Sequence, residues 1–347
     1  MRIAVQNPSF IFDNQKKNFN GYNYQFIMKY VEVFYITDFR KLEKYKKWIH
    51  DFKREAEIVY SVGELNKKAD VLMCFSGVPY SFFYKPPRRF RGLKIYHVMD
   101  YVFFPKKAAN ALNKADVQYI MAYCNHYKHD AFFRQYYSRF TEENIISVPF
   151  GYGERFTNNT VFSNRINKVI ALGSVNPVND LKGTILKEYS NYHKNEFFTH
   201  KLRRAVVENR DCWSDYIDDL LPTYPETKNP VYDPVEMLNK YSMFLNDAGL
   251  MNFPPARTYE GIASGCVMVA EDLGIWKDLG FVDGVNCILF EKGNYKEMIE
   301  KISYYQNHEN ELKNIQYCSL ELSQEYSHNV VAEKLYSEVS KRYELHE

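Results

Sequence analysis

The stretch FPPARTYEGIASGCVMVAEDLG, residues 253–274, carries the densest chemistry in the chain. Pro254 and Pro255 cannot continue a helix, but they suit its first turn, where a missing N–H costs nothing. A helix is therefore predicted to begin near Ala256. Its unpaired N–H groups and positive dipole end would favour a phosphate. Arg257, in that first turn, opposes the dipole unless it reaches an anion. Ala256, Arg257 and Thr258 are thus candidate phosphate contacts. Glu260 lies one turn on, on the same side as Arg257, and a carboxylate there can accept from two ribose hydroxyls. On these residues alone, an Arg257–Glu260 pair on a solvated face is an equal reading. Gly265 is placed to end the helix, and Val-Met-Val-Ala then enters a sheet.

The elements that must hold these groups alternate along the chain. Apolar runs at 2–6, 56–62, 70–76, 93–98 and 117–123 read as buried strands, with helical patterns such as NYQFIMKYVEVF and KKAANALNKA between them. A turn-rich segment, 144–156, closes this half. A second series has strands at 167–174, 241–247, 266–272 and 286–293, and helices at 234–241, 256–263 and 294–306. The tail 329–347 reads as one amphipathic helix with Asn329 as N-cap. Strands alternating with helices imply parallel sheets. The expected fold class is α/β: two Rossmann-like doubly wound domains facing a cleft. The expected boundaries are 1–152, 153–328, and a C-terminal helix 329–347 packing back on the N-terminal domain. Ligands of such sheets sit beyond the carboxyl ends of the strands.

Composition narrows the function classes. At 347 residues the chain exceeds what one core usually supports. Its 46% apolar and 25% charged residues are those of a globular protein. A net charge of +2, from 45 basic and 43 acidic residues, leaves no nucleic-acid footprint. No secretory signal or membrane-spanning segment is evident, so a cytoplasmic location is expected. Cys74, Cys124, Cys212, Cys266, Cys287 and Cys318 are scattered without a C-x-x-C pair and read as free thiols. Asn158-Asn-Thr is formally a glycosylation sequon, read as chance. His126 and His129 are spaced i, i+3 without a third ligand and read as ordinary residues of a helix capped by Asn125. GYGERF lacks the third glycine of a dinucleotide fingerprint.

ARTYEGIASGCVMVAEDLG and DLGFVDGVNCILFEKGNYKEMIEKI resemble the second-domain core of nucleotide-sugar glycosyltransferases of the GT-B fold, nearest the retaining family 4 (group 1) enzymes. Glu260 falls on the second Glu of the family pattern, and Val282–Asn286 on its glycine turn. Its first Glu falls at 252, where this chain has Asn252, which can still hydrogen-bond a sugar; Asp247 is the less apt substitute. VIALGSVNPVNDLKG is similar to the family's first strand of that domain, ending at Gly173 and followed by Lys182. The family's Arg after the strand is Ser174 here, and Arg257 is expected to make up the charge. In the first half, Gly21 occupies the family's Gly-rich loop, and KIYHVMDYV places His97 and Asp100 at a strand end.

The resemblance implies a retaining transfer of a sugar, mannose first, from GDP-mannose or else UDP-glucose to a glycan, glycoprotein or other hydroxyl acceptor. His97, Asp100 and Asn252 are the expected catalytic-side residues. Gly21, Gly173, Ser174, Lys182, Ala256, Arg257, Thr258 and Glu260 are the expected donor contacts. No cofactor is expected beyond the donor, and no metal, since no Asp-x-Asp motif has a metal context. A homodimer is an open option. The alternatives are a nucleotide-sugar 2-epimerase of the same fold and a non-catalytic sugar-nucleotide or glycan-binding protein.

Overall fold

The computed structural model describes residues 1–8, 21–39, 42–43, 46–47, 56–75, 85–98, 101–175, 187–192, 201–222, 231–248 and 253–346. The chain divides into two compact units. Unit 1 comprises Met1–Pro149, Gly183–Asn195 and His328–Glu347; unit 2 comprises Phe150–Lys182 and Glu196–Ser327.

Unit 1 is built on β1 (Ile3–Gln6), β2 (Val31–Tyr35), β3 (Glu57–Val59), β4 (Val71–Cys74), β5 (Leu93–His97), β6 (Tyr119–Ala122) and β7 (Ile145–Ser147). These form one parallel sheet in the order β3-β2-β1-β4-β5-β6-β7. Helices α1 (Gly21–Tyr30), α2 (Val62–Lys68), α3 (Pro105–Lys114), α4 (His126–His129) and α5 (Ala131–Tyr136) lie between the strands in sequence. The pattern NYQFIMKYVEVF, read above as one helix, divides at Tyr30: the second part is β2. Val31 and Val33 are fully buried and β-branched, so the pleated, two-sided burial of a strand wins over helical periodicity. Asn125 caps α4 by accepting from the Lys128 N–H at 3.2 Å.

Unit 2 holds β8 (Ile166–Leu172), β9 (Ile217–Leu220), β10 (Tyr241–Asn246), β11 (Val267–Glu271) and β12 (Ile288–Phe290). All pairings are parallel, in the order β12-β11-β10-β8-β9. The helices used below are α6 (Lys201–Glu208), α7 (Pro234–Lys240), α8 (Ala256–Ala263), α9 (Tyr295–Asn307) and α10 (Glu309–Ser323). β9 has no apolar run to announce it. It is an edge strand, and its aspartates bind Lys168, Tyr241 and Arg210 from neighbouring elements.

The last helix, α11 (His328–Glu344), belongs to unit 1. Val331, Ala332, Leu335 and Val339 join the unit 1 core beside Tyr22, Phe26 and Ile27 of α1. Tyr336 stacks on Tyr30 at 4.0 Å, and Lys29 binds Glu333 at 3.0 Å. The helix starts one residue earlier than its sequence suggests. Ser327 has extended backbone, so Asn329 lies inside the first turn rather than capping it.

At the amino end of β8, Arg165 is a buried staple. Its Nη1 donates to Leu238 O at 2.9 Å and Tyr241 O at 2.8 Å. Its Nη2 donates to Asn158 Oδ1 at 2.9 Å and Ser264 O at 2.6 Å. Asn158, the formal sequon, is thus a structural acceptor. Gly265 ends α8 with φ +72°, and a Cβ there would strike the Asn158 amide. No disulfide joins any of the six cysteines, four of which are buried.

Candidate functional site

In unit 2 the chain passes from β8 to β9 on one side, then to β10 on the other. The order therefore reverses between β8 and β10, which opens a crevice beyond their carboxyl ends. Gly173 follows β8 there with φ +118°, a conformation that side chains resist.

Two guanidinium groups border Gly173. A Cβ at that position would sit 2.6 Å from Arg203 Nη1 and 3.1 Å from Arg257 Nη1. Arg257 donates from Nη1 to Leu172 O at 2.5 Å. Arg203, carried by α6, is 7% exposed. It donates from Nη1 to Ser174 O at 3.2 Å, and its Nε faces Asp247 Oδ2 at 3.8 Å. Burial first, then the neighbouring Arg257 charge, push the Arg203 pKa down to about 10, so Arg203 stays cationic at neutral pH. Ser174 itself contributes its carbonyl.

Helix α8 begins at Ala256, after Pro255 with extended backbone, as its prolines demand. Its amino end and Arg257 therefore converge on the end of β8. Thr258 takes another part: its hydroxyl is fully buried and accepts from Asn246 Nδ2 at 2.9 Å, which ties α8 to β10. Gly261 lets the same helix lie on Phe244, which a Cβ would strike.

Glu260 stands one turn beyond Arg257. Burial raises its pKa, against the pull of Arg257 and Arg155. Among the described residues its carboxylate makes no ion pair; Arg257 is turned to β8 instead. The reading of a solvated Arg257–Glu260 pair therefore fails on geometry.

In unit 1, His97 ends β5 but is 1% exposed, its ring edge-on to Tyr123 at 5.2 Å. Desolvation lowers its pKa to about 4 and keeps it neutral. The ring is enclosed rather than displayed. His126 is likewise buried, its pKa depressed by burial to about 3, with Cys124 Sγ 3.3 Å from Nδ1. Gly21 starts α1 with no side-chain room, and its tight neighbour is the ring of His328 from α11. Asp100, Lys182 and Asn252 lie outside the described residues.

The turn Val282–Asn286 is internally satisfied. Asn286 accepts from Val282 N at 2.8 Å, and Asp283 accepts from Leu289 N at 2.7 Å and from Lys301. It shapes the entry to β12. Arg203 is the site residue that the sequence reading missed. Its signal was slender: an Arg-Arg pair on an amphipathic helix after the β8 crossover. Among the described residues no cluster of three His, Cys, Asp or Glu could hold a metal, and no helix is long and apolar enough to cross a membrane.

Comparison with known proteins agrees with this architecture. Residues 194–337 match a family described as glycosyl transferase-like. No curated protein sequence matches. Among solved structures, HepE from Anabaena in complex with UDP superposes with a TM-score of 0.55 at 13% identity, covering 98% of this chain and 100% of HepE. A glycosyltransferase from Rickettsia africae gives 0.55 at 12% identity, covering 99% and 98%. The lipopolysaccharide outer core galactosyltransferase WaaB gives 0.52 at 11%, covering 99% and 100%. The chain has the fold of GT-B glycosyltransferases, and the family match with that fold supports a transferase.

Proposed function

We propose that this chain is a glycosyltransferase whose unit 2 binds a nucleoside diphosphate sugar. One observation carries the reading. The β8–β10 switch point gathers a glycine at positive φ, a helix amino end, an arginine and a half-buried carboxylate at one place. The amino end of α8 and Arg257 suit the diphosphate, and Glu260 suits the ribose hydroxyls.

In the transfer, the bond between the anomeric carbon and the donor phosphate oxygen breaks, and its electron pair stays on the diphosphate. The acceptor oxygen bonds to the anomeric carbon, and its proton passes to the leaving diphosphate. Negative charge thus grows where Arg257 and the α8 dipole stand, so both bind the transition state more tightly than the ground state. No protein carboxylate need act as nucleophile, which accommodates Asn252 at the family's Glu place, and no metal is assigned. Retention at the anomeric carbon and a GDP-mannose donor follow from the sequence resemblance. UDP-glucose stands beside it, since HepE has also been crystallised with UDP-glucose. The acceptor is assigned as a hydroxyl-bearing glycan or glycoprotein.

Calorimetric titration with GDP-, UDP-, ADP- and dTDP-sugars tests the reading. Binding of one donor, with slow hydrolysis when no acceptor is present, supports a transferase. Absence of binding across the panel overturns it.

A further inference from the structure

The loop after β8 holds Ser174 where the resemblance calls for a cation. Resting on the nucleotide-sugar reading above, we propose that Arg203 is a second cation for the donor diphosphate, delivered from helix α6 rather than from the β8 loop.

Position comes first. Arg203 Nη1 and Arg257 Nη1 both lie within 3.1 Å of the point a Cβ of residue 173 would occupy. The glycine leaves a notch with a guanidinium on two sides, and any larger residue would fill it.

The second observation is unmet bonding. A guanidinium has five N–H donors, and Arg203 is 7% exposed. Yet among the described residues its terminal nitrogens donate to one acceptor, Ser174 O, while its Nε, like that of Arg165, makes no hydrogen bond. Arg165, buried at the opposite end of β8, places both terminal nitrogens on backbone carbonyls and side-chain oxygens. A structural arginine looks like Arg165, and Arg203 is bonded like a group awaiting an anion.

Charge is the third. Arg203 and Arg257 repel each other, and Asp247 at 3.8 Å offsets Arg203. A diphosphate supplies what two adjacent cations lack, and its oxygens match the guanidinium fork. As the donor bond breaks, the added charge on the leaving group falls between the two arginines.

The test is calorimetry with UDP, GDP, ADP and dTDP on the wild type, Arg203→Ala, Arg203→Lys and the double variant Arg203→Ala/Ser174→Arg. Arg203→Ala is expected to weaken the best-bound diphosphate about 10- to 100-fold. Arg203→Lys keeps the charge without the fork and should lose about five- to tenfold. Restoring the cation from position 174 should recover at least about fivefold of the alanine loss, a rescue that a purely structural role does not allow. Should Arg203→Ala not fold, Arg203→Lys decides. A folded Arg203→Ala or Arg203→Lys with wild-type affinity overturns the assignment of Arg203 alone. A wild type that binds none of the four diphosphates overturns the nucleotide-sugar reading itself, and this assignment with it.

Discussion

The two ends of β8 present the same chemistry to different purpose. At the amino end Arg165 is buried among Leu238, Tyr241, Asn158 and Ser264, each bonded to it. At the carboxyl end Arg203 and Arg257 crowd Gly173 with, among the described residues, one carbonyl acceptor apiece. Each end also has a glycine at positive φ beside an arginine: Gly265 beside the Arg165 network and Gly173 beside Arg203. A buried charge satisfied by its own fold serves stability. One left under-bonded beyond a strand's carboxyl end is organised for a ligand. The contrast arises because parallel strands direct both ends differently. The amino end is closed by the chain returning into the sheet, whereas the carboxyl end opens where the strand order reverses.

Substitutions at the two ends should therefore fail in different assays. Arg165→Met is expected to cost about 3–5 kcal/mol of unit 2 stability, since the freed carbonyls stay buried. Chemical denaturation measures this, and a loss near zero would erase the distinction. Arg257→Ala should leave the unfolding midpoint nearly in place but weaken nucleoside diphosphate binding about 10- to 100-fold. Calorimetry with unchanged affinity would remove Arg257 from the site.

The glycines sharpen the comparison. Gly265→Ala and Gly173→Ala each force a side chain into positive φ, at about 1–2 kcal/mol. The first should loosen the Asn158–Arg165 contact and leave the affinity of folded protein intact. The second should displace Arg203 and lower affinity as well. Equal binding by the two variants would contradict the division of labour.

The smallest effect concerns Glu260. Burial raises its pKa, so its charged form is disfavoured in the unliganded fold, with Arg257 and Arg155 as the charges facing it. Its contribution to stability is greatest below the ordinary glutamate value and declines as pH rises through the raised one. Glu260→Gln should then be slightly more stable than wild type at neutral pH, with the gap closing in acid. In binding the sign reverses, because a ribose needs the carboxylate as acceptor. Wild-type affinity should fall as pH drops into this range, while the glutamine variant, weaker by about 0.5–1.5 kcal/mol at neutral pH, should show little slope. Parallel pH profiles of the two proteins would remove Glu260 from the ribose.

Much of the framework was legible in residue order. Pro254 and Pro255 announce the start of α8, and Gly265 its end, because those signals act within one turn of backbone. Continuous apolar runs announce β4, β5, β8, β10 and β11, since a strand buried on both faces needs them. β2 was concealed by its join to α1, and β9 by the aspartates of an edge strand.

By itself, then, the amino-acid sequence determined two series of alternating strands and helices, the place where α8 starts, and the presence of Arg257 and Glu260 on one side of it. These depend on local backbone chemistry and side-chain period. The tertiary structure alone decided that Arg203 joins Gly173 and Arg257, that Thr258 turns to Asn246, and that His97 is enclosed. Such neighbours are distant in the chain, and they meet because β10 pairs with β8 on the side away from β9, a choice set by burial of the whole sheet and written in no single segment.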